Sequence, residues 1–312
     1  MKYIFKIQYK ISDYIMEITF LGTSSAVHSY KRSHPSIALK AFGETMLFDC
    51  GEGTQRQLIY AKISPMKISK IFITHYHGDH ILGIPGLLQS MNFRGRETKL
   101  TIYGPKGLDN LQQAIANLGF PNFDFPLEWI EIDSGTIIEN DEYIIKAQRV
   151  KHNTLTLAYS VEEIKKPRFL REKAIELGVP VGPAFGKLHN GIPVEINGNI
   201  IKPEQVLGPP RKGNKLTYSG DTMPCEELID FARDSTLLIH ESTYKDEDKD
   251  KAELHSHSTS VDAANIALYS NSKELILTHI STRYKDIKDL LGEAKEVFEN
   301  TKIAEDLMKV EL

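Results

Sequence analysis

Cysteine is almost missing from this chain. Cys50 and Cys225 are the only two among 312 residues, which excludes a disulfide framework and suits a reducing, cytosolic compartment. Both read as small buried apolar residues. Long apolar runs are missing as well. No stretch approaches the roughly 20 residues a membrane-spanning helix needs, and the longest, such as Leu237, Leu238 and Ile239, are strand-sized. No membrane partner is therefore expected. Residues 1–15 carry apolar positions broken by Lys2, Lys6 and Lys10, without the continuous apolar centre and small-residue cleavage site of a secretory signal. They read as an N-terminal extension ahead of a main domain at residues 16–312, and Met16, directly before EITFLG, is an alternative start. Positive charge is not in excess either. A formal net charge of −4 gives no global support for a nucleic-acid partner, so any such binding must rest on a local patch.

What is present is an ordinary enzyme-like composition, 41% hydrophobic and 26% charged, long enough for one large core or two fused halves. EITFLG, SIALKA, TMLFDC, KIFIT and KLTIYG read as strands, with a hairpin turn at Phe42, Gly43 and Glu44 and a helix over DHILGIPGLLQSM. Near the other end KLTYSGDT, TLLIHEST and KELILTHIS read as strands that alternate with the helical patterns PCEELIDFARD, SVDAANIALYS and DIKDLLGEAKEVFEN. Two comparable α/β halves predict two packed sheets with helices outside them.

Residues 161–214 differ in character. Pro and Gly recur in LGVPVGPAFGKLHNGIP and LGPPRKGNK, and KKPRFLREK carries five basic residues against one acid. This segment reads as a solvated insertion with a helix in it rather than as core, or as a substrate-gripping arm at about 161–200.

The strongest chemical signal is His75-Tyr76-His77-Gly78-Asp79-His80, set between an apolar strand and an apolar helix. Alternation in an extended segment sends His75, His77 and Asp79 to one side, and the turn into the helix brings His80 from another direction. Imidazole and carboxylate donors without thiolate suit zinc in a catalytic setting, though manganese and ferrous iron accept the same donors. Further ligands are expected at later strand ends, where His152, Asp221 and His279 each follow an apolar run. Together these make seven candidate metal ligands.

The order HxHxDH, a single histidine, SGDT and a strand-terminal histidine resembles the metallo-β-lactamase superfamily. The resemblance implies a four-layer αββα sandwich and a dinuclear zinc site, with His75, His77 and His152 on one ion, Asp79, His80 and His279 on the other, and Asp221 bridging. The finer pattern is similar to the ribonuclease Z family over residues 16–284. The matching segments are FLGTSSA, LFDCGEGTQRQL, the histidine motif, GPAFGKL, GPPRKG, YSGDT, HEST, HST and THISTRY. That resemblance implies an endoribonuclease of the short form, removing the 3′ trailer from precursor tRNA by attack of a metal-activated water. It further implies a homodimer whose protruding arm, inserted in the second half at residues 180–191, grips the tRNA body. No nucleotide cofactor is implied.

Within this reading Asp79 orients or deprotonates the water. His257, in HST, is the candidate acid for the departing ribose 3′ oxygen, and Glu241, in HEST, is the carboxylate that holds it charged and aimed. His255 and His240 are expected to support or face solvent. Arg283 is the candidate phosphate contact, beside Ser281 and Thr282. Ser258 and Thr259 are either hydroxyl donors to that phosphate or caps of the following helix. Asp49 and Glu52 are expected to give structural support, Asp49 alternatively by holding a ligand histidine. The sequence departs from the family at Pro-x-Lys-x-Arg-Asn, reading His28-Ser29-Tyr30-Lys31-Arg32-Ser33 instead, where Lys31 stands in for the displaced lysine. Two other readings share the residues: a hydrolase of small phosphodiesters or thioesters on the same fold, and a non-hydrolytic RNA-binding protein that keeps its metals.

Overall fold

The structure is a computed structural model that describes residues 15–119 and 122–312. The extension expected at residues 1–15 lies, apart from Ile15, outside the described residues. Two compact units emerge from the chain: residues 1–162 with 214–312, and Glu163–Gly213.

The larger unit holds two seven-stranded sheets. Its first strands are β1 (Glu17–Gly22), β2 (Ser36–Ala41) and β3 (Glu44–Phe48). The expected β2–β3 turn forms with φ of 53° at Phe42 and 75° at Gly43, the two-residue type I′ pattern that matches strand twist. Helix α1 (Thr54–Tyr60) leads to β4 (Ile68–Phe72), and the histidine motif follows at once. The helix expected over residues 79–91 is in fact two, α2 (Gly78–Ile81) and α3 (Ile84–Phe93). The break falls at Gly83, whose amide donates to the Cys50 carbonyl at 2.9 Å. A Cβ there would lie 2.1 Å from the Gly51 carbonyl oxygen, so only glycine lets the two backbones meet, and Pro85 restarts the helix in its first turn. β5 (Leu100–Gly104), α4 (Leu108–Asn117) and β6 (Leu127–Glu131) complete this half.

The second sheet begins with β7 (Gly135–Glu139), β8 (Tyr143–Val150) and β9 (Thr156–Lys165). It continues, after the smaller unit, with β12 (Arg211–Tyr218), α7 (Glu226–Phe231), β13 (Leu237–Glu241), α8 (Lys249–His255), α9 (Ser260–Tyr269), β14 (Leu275–Thr278), α10 (Lys288–Val297) and β15 (Thr301–Ile303). The last strand, β16 (Lys309–Glu311), returns to the first sheet and pairs antiparallel with β1. Strands β3 to β6 run parallel to one another, as do β12 to β15, so both sheets carry several strand C-termini at one end.

Burial defines four layers. Phe20, Phe48 and Phe72 of the first sheet share one apolar cluster with Tyr159, Leu216 and Ile239 of the second, so the sheets pack face to face. The other face of the first sheet buries Leu58, Leu88 and Ile115 from α1, α3 and α4. The outer face of the second buries Leu228, Ala264 and Leu290 from α7, α9 and α10. This is the αββα arrangement. Among the described residues, no helix is long and apolar enough to cross a membrane.

The smaller unit corrects the reading of residues 161–214 as a solvated insertion loop with a helix in it. It contains α5 (Arg171–Glu176), α6 (Pro183–His189) and a hairpin of β10 (Val194–Ile196) and β11 (Asn199–Ile201). Ala174, Val179, Leu188, Ile201 and Val206 form its own buried cluster. The frequent Pro and Gly punctuate short elements instead of marking a loop.

Candidate metal centre

Each candidate ligand sits just beyond a strand or at the first turn after one. His75 follows β4, His152 follows β8, Asp221 follows β12 and His279 follows β14. Backbone hydrogen bonds lock these ends together: Met223 N–H donates to the Lys151 carbonyl at 2.7 Å, and Leu157 N–H donates across the sheets to the Thr74 carbonyl at 3.0 Å. His279 adopts a left-handed backbone, φ 59°, which a non-glycine residue keeps only when its surroundings fix it.

The seven side chains converge. His75, His77, His152 and Asp221 form one group able to hold a metal ion, and Asp79, His80 and His279 form another. Nε2 of His80 lies 3.5 Å from Asp79 Oδ2 and 3.4 Å from Asp221 Oδ2, while Nε2 of His279 lies 3.4 Å from each of the same oxygens. Two donors bound tetrahedrally at zinc–ligand lengths stand roughly 3.3 Å apart, so this spacing fits a common ion. On the other side, His75 Nε2 is 3.6 Å from Asp221 Oδ2 and 3.0 Å from His77 Nδ1, itself 3.5 Å from His152 Nε2. Asp221 Oδ2 thus stands between the groups.

Charge and saturation agree with a cation site. His80 Nε2, His279 Nε2 and Asp221 Oδ1 are buried without a hydrogen-bond partner, a costly state for polar atoms that have no ligand to meet. Burial pushes the His75, His77 and His152 imidazoles down, leaving neutral rings with lone pairs to give. Burial would raise Asp221, but His279 and His80 outweigh it and hold the carboxyl well below the usual range. Asp79 is likewise held low against its burial by His279 and His80.

Behind the ligands stand two buried carboxylates, each used twice. Asp49 accepts from His80 Nδ1–H at 2.8 Å and from the Thr74 hydroxyl, whose oxygen lies 3.0 Å from His75 Nδ1. The Thr74 amide at 2.8 Å and the Tyr218 hydroxyl at 3.0 Å also donate to Asp49. Of the two roles expected for Asp49, the structure places it against His80, a candidate ligand. Glu241 accepts from His257 Nδ1–H at 2.7 Å and from the Thr243 hydroxyl at 2.6 Å; that hydroxyl lies 2.8 Å from His279 Nδ1. The amides of Thr222 and Thr243 saturate Glu241 further. His152 Nδ1–H donates to the Ser256 carbonyl at 2.6 Å, which turns its Nε2 inward. Burial lowers the His257 imidazole, yet Glu241, with Asp221 behind it, outweighs burial and pushes it up to about 9.

With this geometry in place, comparison with known proteins becomes specific. A ribonuclease Z of Methanothermobacter thermautotrophicus is 56% identical over 298 residues, spanning 96% of this chain and 97% of that one. The chain belongs to the ribonuclease Z family. The crystal structure of human tRNase Z, short form, superposes with a TM-score of 0.67 at 28% identity, covering 95% of this chain and 98% of that one. The metallo-β-lactamase fold protein YhfI from Bacillus subtilis, at a TM-score of 0.70, 18% identity and coverage of 96% and 99%, shares the fold. Residues 16–161 also match the family described as Anti-Pycsar protein Apyc1.

For several residues singled out in this ribonuclease Z family member, the structure decides between the roles left open. Thr259 caps α9, accepting from the Asp262 amide at 3.1 Å, and Ser258 donates to the Thr222 carbonyl at 2.6 Å, so neither hydroxyl is offered to a phosphate. His240 is fully buried rather than solvent-facing, with Nδ1–H on the Glu241 carbonyl at 2.7 Å, while His255 is exposed. Arg32 turns inward, donating to the Ala304 carbonyl at 2.7 Å, whereas Lys31 lies exposed over the Tyr30 ring. Arg283 is exposed, its guanidinium 5.0 Å from the Tyr244 ring centre and 3.9 Å from Asp248. Tyr244 in turn lies 6.2 Å from the His257 ring. Sequence reasoning does not single out Thr74 or Thr243. Thr243 is two residues past Glu241 in an extended segment, a spacing that puts both on one side and is the one signal that could have found it.

Proposed function

We propose that the chain is a zinc-dependent endoribonuclease that removes the 3′ trailer from precursor tRNA, leaving a 3′-hydroxyl on the tRNA and a 5′-phosphate on the trailer. The observation that carries this reading is the His257–Glu241 couple beside the seven converging ligands, because a positioned acid is needed for an alkoxide leaving group. Family membership supports RNA as the substrate.

His75, His77 and His152 would hold one zinc ion, Asp79, His80 and His279 the second, and Asp221 would lie between them. The chemistry these ions supply when bound is Lewis acidity toward phosphoryl oxygens and a water acidic enough to ionise near neutral pH. Asp79 would orient that water or take its proton. His257, charged by Glu241, donates from Nε2 to the ribose 3′ oxygen as it departs, since its Nδ1 is committed to Glu241. Arg283, on its Tyr244 platform, meets a neighbouring phosphate through charge-assisted hydrogen bonds.

The smaller unit serves as the substrate-gripping arm. Lys166, Arg168, Arg171 and Lys173 are exposed on it and give the concentrated positive charge that the net balance of −4 withholds elsewhere. The enzyme works as a cytoplasmic homodimer in this reading.

The deciding assay incubates the protein with a 3′-extended pre-tRNA, maps both ends, and repeats the reaction with His77→Ala and His257→Ala. Cleavage yielding the stated ends, with strong loss in both variants and metal retained in the second, is expected. Binding of the RNA by zinc-loaded protein without turnover would overturn the proposal.

A further inference from the structure

Outside the seven ligands, a second set of metal-ligating side chains has been brought together by two loops. His28 and His34 come from the loop between β1 and β2, and Glu52 from the turn between β3 and α1. One donor atom from each lies within 4.8 Å of the other two. The His28 and His34 rings meet edge to face, 4.9 Å between centres at 88°. We propose that His28, His34 and Glu52 form a third metal site, for a divalent transition ion, separate from the seven-ligand centre.

The decisive residue is His34. It is 8% exposed, and neither of its ring nitrogens has a hydrogen-bond partner of full geometry, the Ala26 carbonyl offering only a weak one. A buried polar atom left without a good partner is costly, and the His34 imidazole is poorly satisfied here. A cation on one nitrogen removes part of that cost. His28 and Glu52 are exposed, so their side chains can close the remaining distance without disturbing the core.

The backbone around His34 is built to hold it. A Cβ on Gly22 would lie 1.7 Å from the His34 carbonyl oxygen, and one on Gly51 would lie 2.5 Å from the His34 Cβ and 2.2 Å from the Asp79 carbonyl oxygen. Glycine at both positions admits the histidine and seats it against the first turn of α2, which carries Asp79. Asp306 pins the rest of the loop, accepting from Ser33 N–H at 2.7 Å and the Thr23 hydroxyl at 2.8 Å. Arg32 ties it to the Ala304 carbonyl.

The donor set fixes the class of ion. Two imidazoles and one carboxylate, without thiolate, favour zinc, manganese, ferrous iron, cobalt or nickel over calcium and magnesium, which take oxygen donors. Three protein ligands leave coordination positions open to water or to an external oxygen. An ion at this place would bring positive charge up to the α2 turn that carries Asp79.

The test uses the full chain and zinc alone. Anomalous diffraction at the zinc edge, on crystals equilibrated with excess zinc, is expected to show a peak among His28, His34 and Glu52 apart from any at His75 to His80. Zinc per chain, measured by elemental analysis at buffered free zinc, is expected to fall by one equivalent in His28→Ala and in Glu52→Gln. Both substitutions change exposed side chains, and an unchanged circular dichroism melt of the metal-free protein verifies the fold. Peaks confined to the seven-ligand centre, or equal zinc content in wild type and both variants, would overturn the site. Neither readout depends on RNA cleavage, so this inference and the ribonuclease reading can fail separately.

Discussion

Thr74 and Thr243 occupy matching positions, each two residues past a strand of a different sheet: each hydroxyl donates to a buried carboxylate and meets the Nδ1–H of a candidate ligand histidine. Thr74 links Asp49 to His75, and Thr243 links Glu241 to His279. Each carboxylate also takes a second histidine directly, His80 for Asp49 and His257 for Glu241. The two halves thereby orient four rings with two carboxylates, and Glu241 couples the proposed acid to a proposed metal ligand.

Replacing Thr243 tests that coupling. Thr243→Val keeps the shape but removes both hydrogen bonds, and should weaken zinc binding by about 10–100-fold in competition with a chromophoric chelator. Thr243→Ser should restore most of it. A structural role alone would change the melting temperature and leave chelator competition unmoved.

His257→Ala should lower kcat on pre-tRNA by about 10²–10⁴-fold, the usual contribution of a positioned acid, with KM and zinc content near wild type. Cleavage of a diester with an already acidic leaving group, such as bis(p-nitrophenyl) phosphate, should suffer far less. Equal losses on both substrates would remove His257 from proton donation.

The pH profile should follow from the raised His257 value. The imidazolium is present below about pH 9 and lost as pH rises through it, so kcat should fall on the alkaline side. Glu241→Gln removes the charge that holds the proton and should move that limb to lower pH. An unmoved limb in the variant would show that another group sets it.

Alanine at Lys166, Arg168, Arg171 and Lys173 together should raise KM for pre-tRNA. It should also flatten the salt dependence of binding, by about one unit of slope for each phosphate that is no longer neutralised. Hydrolysis of bis(p-nitrophenyl) phosphate should be unaffected. A fall in both activities would point to damage at the centre instead.

Much of this is legible in the residues because strand ends and metal donors leave strong local marks. EITFLG, SIALKA and KELILTHIS form strands almost where their apolar runs lie, since each is buried on both faces of a layered sheet. The site is legible through donor type and its place after apolar runs. The break at Gly83 is not, because it depends on a backbone approach from residues 50 and 51, far along the chain. Nor is the core of the smaller unit, whose short elements bury few residues each and so show no sustained periodicity. His34 escapes notice in the sequence because a single histidine before a proline carries no spacing signal; only the fold reveals its burial and its closeness to His28 and Glu52.

The candidate ligands come from both halves of the sandwich. His75, His77, Asp79 and His80 follow a strand of one sheet; His152, Asp221 and His279 follow strands of the other. Any ion gripped by both sets rivets the halves together, and each tenfold excess over its dissociation constant adds about 1.4 kcal/mol to the folded state. Scarcity of that ion would then thin the standing population of the protein through proteolysis, as well as idling the copies that survive.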